Sequence, residues 1–348
     1  MIFTSDNAFG VSPEILDALA RVNAGGVSSY GDDDTTLGLT KKFSDVFERD
    51  VAVFPVATGT AANSLALATL TPPYGAIFCH HEAHANVSEC GAPEMFSGGA
   101  KLVGIGGDGA KIDPELLRAT LKTFRQDRVH QVQPSCLTLT QSTESGRVYS
   151  LDELRALSTI ARAFDIAVHM DGARFANALV ALGCSPADMT WKSGIDVLSF
   201  GATKNGAMAA EAVVFFDPVM ASDFEFRRKR AGHLFSKMRF LSAQLDAYLT
   251  NDLWLRNARH ANAMAMRLGE GLSGIDGIVM ASAVEANEVF VRLPVATFKR
   301  LLASEATFHP WPNPADAAEG HKHQTIRLVT SFATQTDDVA RFLALAKS

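Results

Sequence analysis

The stretch 166-IAVHMDGARFANALVALGCSPADMTWKSGIDVLSFGATKNGAMAAEAVVFF-216 decides the fold. Three apolar runs, at 166–170, 195–200 and 210–216, read as strands with too little polar alternation to face water on one side. Between the first two, residues 174–182 read as a helix. Buried strands alternating with helices predict an open, mostly parallel sheet covered by helices, an α/β architecture. The same rhythm continues towards the amino terminus. VAVFPV at 51–56 is a strand, followed by a helix from the turn Thr58-Gly59-Thr60 to about Leu70. AIFC at 76–79, KLVGI at 101–105 and SCLTL at 135–139 complete a set of seven strands. Helices are expected from Asp113-Pro114-Glu115 through Leu121 and over 151–164. Ser12-Pro13 opens the first helix, with proline at the position that needs no N–H partner.

Beyond residue 220 the pattern changes. A long helical stretch is expected from about Ser222 to Leu268, interrupted near Ala231-Gly232 and Asn251-Asp252. Short strands follow at 277–281, 289–294 and 325–329, then a last helix over 337–346. This predicts a smaller α+β domain. The expected division falls near 245, with a large α/β domain over 1–245 and a small one over 246–348.

The chain has 348 residues, 47% hydrophobic and 20% charged, the balance of a globular protein able to bury a large core. A net charge of −6 argues against a nucleic-acid binder, which carries a basic face. One basic run interrupts it, Arg227-Arg228-Lys229-Arg230. No run approaches the roughly 20 apolar residues of a membrane span. The first residues lack a signal-peptide pattern, and the four cysteines form no C-x-x-C pair. A cytoplasmic location, without membrane or nucleic-acid partners, is expected.

Lys204 lies just past an apolar strand among Gly201, Ala202, Gly206 and Ala207, which leave room for a bulky group. Half-buried amines lose their proton more readily and form imines with carbonyl compounds, although a surface lysine in a turn has the same sequence signature. Asp171 ends the strand 166–170, where ligands of open α/β sheets bind. A carboxylate there either pairs with a protonated pyridine nitrogen or merely caps the next helix. The turn Thr58-Gly59-Thr60 offers backbone N–H groups to a phosphate, but is no P-loop. His84 suits ring stacking, proton transfer or a structural role. His81-Glu82-Ala83-His84 is one residue short of H-E-x-x-H, and no metal is expected. Arg174 and Arg327 are candidates for a bidentate carboxylate clamp or for ordinary solvated charges.

Taken in order, Tyr30-Gly31-Asp32-Asp33, Thr58 to Asn63, Asp171-Gly172-Ala173-Arg174, Lys204 and Arg327-Leu328-Val329-Thr330 form a specific set. From Ser5 to about Thr330 the chain resembles the low-specificity L-threonine aldolases, β-eliminating lyases of the aspartate-aminotransferase-like group. The resemblance implies a fold type I pyridoxal 5'-phosphate enzyme with a mostly parallel seven-stranded sheet. It also implies retro-aldol cleavage of L-threonine, L-allo-threonine and related 3-hydroxy amino acids to glycine and an aldehyde. Phenylserine cleavage or another β-eliminating reaction on the same fold is the alternative.

By that resemblance Lys204 bonds the cofactor, Asp171 keeps its ring nitrogen protonated and His84 stacks on its ring. Gly59, Thr60 and Thr203 hold its phosphate. Ser5, Arg174 and Arg327 clamp the amino-acid carboxylate, and Tyr30 lies near a subunit interface. Arg239, with Lys229 or Arg230, reaches the neighbouring subunit's cofactor phosphate, in a homotetramer built as a dimer of dimers. Two departures stand out. Where the family often has the histidine of N-T-H-N-G, this chain has Gln141-Ser142-Thr143-Glu144, with Thr143 in the histidine's place. The common glycine-rich run before Arg239 is replaced by Ala231-Gly232-His233-Leu234-Phe235.

Overall fold

The computed structural model describes residues 1–125 and 127–348. Seven strands form the large sheet: β1 (Ala52–Val56), β2 (Gly75–His80), β3 (Lys101–Ile105), β4 (Gln133–Thr140), β5 (Ala167–Gly172), β6 (Val197–Gly201) and β7 (Glu211–Phe215). Their order is β1-β7-β6-β5-β4-β2-β3. From β3 across to β6 all neighbours are parallel, and β7 runs antiparallel to both β6 and β1. This is the open, mostly parallel α/β sheet that the alternation predicts. All residues of β2, β6 and β7 are buried, as strands covered on both faces must be.

Register brings the functional edge together. Thr140 pairs with Asp171, and Asp171 with Ser199. Because β7 is reversed, its first residue Glu211 lies beside Gly201 on one side and Val56 on the other. The carboxyl ends of β1, β4, β5 and β6 therefore open on the same side as the start of β7. Ligands of open α/β sheets bind at that side.

Three helices in the first 70 residues are α1 (Pro13–Val22), α2 (Asp34–Phe47) and α3 (Gly59–Leu70). Asp33 caps α2 through Thr36 N–H, and Thr58 caps α3 through Ala61 N–H. Every residue of α3 from Ala61 to Ala68 is buried, so this helix is enclosed rather than amphipathic. Phe43 and Phe47 of α2 pack on Phe200 of β6, with ring centroids 5.2 and 6.4 Å apart. Phe175, Tyr248 and Trp254 close the same aromatic cluster.

The small sheet has the order β10-β11-β9-β8, all antiparallel, from β8 (Val279–Met280), β9 (Glu288–Pro294), β10 (His309–Pro310) and β11 (His323–Val329). Phe3 belongs to its core, with its N–H bonded to Thr307 and its carbonyl accepting from Val329. The helix Leu253–Ser273 serves both cores, through Trp254 and Ala258 at one end and Leu268 and Leu272 at the other. Residue 245, the expected division, falls inside the helix Arg239–Leu249, whose Leu245, Ala247 and Tyr248 pack in the large core.

The long helical stretch expected from Ser222 is three helices, Phe224–Arg230, Arg239–Leu249 and Leu253–Ser273. Residues 231–238 are not helical, and Gly232 has φ +77°. Asn251 and Asp252 have φ +53° and +55°, left-handed values that no helix tolerates in its interior. The expected strand at 277–281 shrinks to Val279–Met280, because Gly277 turns at φ +79°.

Candidate active site

A cavity of about 480 Å³ opens at this edge of the large sheet. Its wall includes Gly59 and Thr60 from the start of α3, His84, Asp171 from β5, Arg174, Thr203 and Lys204. Seven residues expected to act together, scattered over 146 positions of sequence, thus share one space.

Each is held by its local structure. Lys204 occupies a single turn between β6 and β7. Its ammonium has no hydrogen bond or ion pair among the described residues, yet its charge is felt at Asp6, His84, Glu211 and Glu288. Asp171 is buried at the end of β5. Its Oδ2 accepts from Asn63 Nδ2 at 2.8 Å and its Oδ1 from Ala173 N–H at 3.0 Å. Asn63 donates also to Glu89 Oε1, at 2.8 Å. His84 opens α4 (His84–Val87) and donates from Nδ1 to the same Glu89 oxygen at 2.9 Å. That bond raises the imidazole's pKa above its ordinary value, against burial and with help from Asp171.

At the phosphate end, the first turn of α3 has no side-chain obstruction: a Cβ on Gly59 would meet nothing within 4 Å. Ala57 N–H is already bound to His233 Nδ1 at 3.3 Å. Thr203 Oγ1 accepts from Ala210 N–H at 3.2 Å, beside buried Glu211. Burial raises the Glu211 carboxyl to about 7, although it accepts from Thr203 and from Ala202 N–H at 2.7 Å.

Arg174 is buried and paired with two acids. Its Nε and Nη2 donate to Asp6 at 2.8 and 3.1 Å, and its Nη1 lies 3.4 Å from Glu288. Burial opposes its charge, but the two carboxylates hold its pKa above the usual value. Glu288 bridges to Arg327 at 3.9 Å, and neither of its carboxylate oxygens has a hydrogen-bond partner among the described residues. Burial pushes Glu288 up and Arg327 down from their ordinary values. Two arginines and two acids thus form a neutral cluster beside the cavity.

Four expected residues do not line the cavity. Ser5 caps the short turn Asp6–Ala8 through Asn7 N–H and neighbours it only through Asp6. Arg327 is joined to it through Glu288 and lies against the Trp311 ring at 4.9 Å. Tyr30 is about half exposed, with Lys229 Nζ 4.7 Å from its ring centre. Arg239 borders a second cavity of about 390 Å³, with Val27, Ser28 and the acidic run Asp32 to Asp34.

The sequence profile of the β-eliminating lyase family matches residues 3–295. The chain is 45% identical over 307 residues to the low specificity L-threonine aldolase of Pseudomonas aeruginosa, covering 88% of each chain. The chain belongs to the β-eliminating lyase family. The low specificity L-threonine aldolase of Pseudomonas sp. (strain NCIMB 10558) is 47% identical over 292 residues, 84% of each chain. Among solved structures, a threonine aldolase of Leishmania major superposes with a TM-score of 0.91, at 26% identity over 99% of this chain and 98% of that one.

The donor set fits the pyridoxal phosphate of a β-eliminating lyase. An amine without an ion pair, a buried carboxylate for the ring nitrogen and an unobstructed helix start for a phosphate all face one space. Asn63, Glu89, Glu211 and Glu288 went unassigned in the sequence. Glu211 was detectable, as the one charge in the strand AEAVVFF; Glu89 is tied to His84 and Asn63 by contacts that no spacing rule predicts.

Proposed function

We infer that this chain is a pyridoxal 5'-phosphate-dependent aldolase that cleaves L-threonine, L-allo-threonine and related L-3-hydroxy amino acids to glycine and an aldehyde. The observation that carries this reading is Lys204, without an ion pair, facing the cavity wall that holds buried Asp171, in a chain 45% identical to a low specificity L-threonine aldolase.

When bound, the cofactor supplies an electron sink for the pair released at Cα. The chain's own residues do the rest. Lys204 Nζ would be the amine that holds the cofactor. Asp171, fixed by Asn63 and Ala173 N–H, keeps a proton on the ring nitrogen. His84, tied to Glu89, supports the ring's face. Gly59, Thr60 and Thr203 hold the phosphate. Arg174, on the cavity wall, would receive the amino-acid carboxylate and orient the Cα–Cβ bond, with Arg327 joined to it through Glu288 and Ser5 through Asp6.

We also propose a cytoplasmic homotetramer, a dimer of dimers with shared sites. Arg239 stands outside the Lys204 cavity, in a second pocket with Asp32 to Asp34, and half-exposed Tyr30 lies near Lys229. That position suits a reach into a neighbour's site.

The test is spectroscopic. Purified protein with cofactor is scanned from the near ultraviolet into the visible, then given L-threonine, L-allo-threonine and L-phenylserine separately. A band at about 420 nm that shifts on addition, with glycine and aldehyde formed, is expected. A keto acid with ammonia moves the reaction to β-elimination; no band with added cofactor overturns the reading.

A further inference from the structure

We propose that Glu144 is the base that takes the proton of the substrate's β-hydroxyl. This rests on the aldolase reading, since only a retro-aldol cleavage needs such a base.

Thr143, which stands where the resemblance implies a histidine, cannot take over a histidine's proton chemistry. Thr143 is completely buried and does not line the cavity. Its Oγ1 donates to the Gly109 carbonyl at 2.8 Å and accepts from Arg147 N–H at 3.2 Å, and its own N–H is bonded to the Arg147 carbonyl. The hydroxyl is committed to closing the loop between β4 and Arg147. One position on, Glu144 joins the cavity wall with His84, Asp171, Arg174 and Lys204.

The Glu144 carboxylate is half anchored. Oε1 accepts from His84 N–H at 2.7 Å, which fixes its orientation. Oε2 is buried and has no hydrogen-bond partner among the described residues, although the Thr140 side chain lies near enough to the carboxylate to favour its charged form. A buried acceptor left unpaired costs stability, and a substrate hydroxyl satisfies it. His84 is the less available base, because its Nδ1 is spent on Glu89, and that bond raises its pKa and so keeps the ring protonated. Glu144 shares its surroundings with the Asp171 carboxylate, the Arg174 guanidinium, the His84 ring, the Cys79 thiol and the Tyr149 phenol. Burial, aided by Asp171, raises its carboxyl to about 7, where a general base works best near neutral pH.

The step balances. The β-hydroxyl proton passes to Glu144, and the O–H bonding pair becomes the second bond of the aldehyde carbonyl. The Cα–Cβ pair stays on Cα, where a proton completes glycine. Glu144 then loses its proton to solvent before the next turnover.

The test compares wild-type holoenzyme with Glu144→Gln and Glu144→Asp. Glutamine keeps the size and the acceptor for His84 N–H but takes no proton. Two probes are used: L-threonine, and glycine, which has no β-hydroxyl. Cleavage by Glu144→Gln is expected to fall on the order of 10²- to 10⁴-fold. The visible spectral change on adding glycine, and its midpoint, should stay at the wild-type values. Glu144→Asp should retain part of the cleavage, with the acid limb of its pH profile displaced. Glu144→Gln cleaving within about threefold of wild type overturns the proposal. So does a parallel loss of glycine binding, which marks a packing residue. A wild type that makes no glycine and aldehyde from any 3-hydroxy amino acid sinks the aldolase reading itself, a separate result.

Discussion

Asp171 has both oxygens occupied, by Asn63 and by Ala173 N–H, and is buried at the end of β5. Its negative charge is useful only to a partner that brings a proton. Asp171→Asn keeps the shape and removes the charge. Turnover of L-threonine is expected to fall on the order of 10²- to 10³-fold, the scale for losing one preorganised electrostatic partner, while the visible cofactor band persists. Near-normal turnover would remove the residue from the chemistry. Lys204→Ala should abolish turnover together with the band at about 420 nm, as no other lysine among the described residues lines the cavity wall. An unchanged spectrum would end the assignment of Lys204. The placement of these two residues at the cavity was legible in sequence because its signals are local: a lysine among small residues, an aspartate ending an apolar strand. Glu144 was visible as an oddity beside Thr143 but had no assignable role, since its bond to His84 spans 60 residues. Glu288 was illegible for the same reason. It makes sense only beside Arg174 and Arg327.

At the scale of elements, register and packing decide what the site depends on. β6 ends beside Lys204, and its Phe200 contacts the rings of Phe43, Phe47, Phe175, Tyr248 and Trp254. Phe200→Ala is expected to cost about 3–5 kcal/mol, the range for emptying a large buried ring. Ser150 instead caps the helix Leu151–Ala163 in a reciprocal box with Glu153, on the surface. Ser150→Ala is expected to cost about 1 kcal/mol. Urea unfolding followed by circular dichroism checks the ranking; a Ser150→Ala midpoint shifted as far as that of Phe200→Ala would contradict it. The strands of the large sheet were readable because burial on both faces leaves continuous apolar runs. Two-residue strands such as β10 leave no pattern to read, and the breaks at Gly232, Asn251 and Asp252 were seen as interruptions without the non-helical segment 231–238 being foreseen.

For the whole molecule, the question is whether one chain holds a complete site. No helix among the described residues is long and apolar enough to cross a membrane, so the exposed apolar side chains Val219 and Phe226 are not explained by a spanning helix. Those two residues flank or lie on the short helix Phe224–Arg230, which carries the basic run that stands out in an acidic chain. Arg228 of that run is buried and bonded to Glu225, which leaves Lys229 and Arg230 to face outward with Tyr30 nearby. Arg239 borders a separate cavity. If Arg239 completes a neighbour's phosphate site, two inactive variants should rescue each other. Lys204→Ala lacks the amine, and Arg239→Ala lacks the borrowed guanidinium. In a mixed dimer one site has both defects and the other has neither. Random reassortment makes half the dimers mixed, each with one sound site, so activity should return to about a quarter of the wild-type level. Separate refolding of each variant, then mixing, supplies the control. Recovery no greater than the sum of the two variants alone would place Arg239 in its own chain's site or outside the chemistry, because complementation requires that a working site draw on two chains.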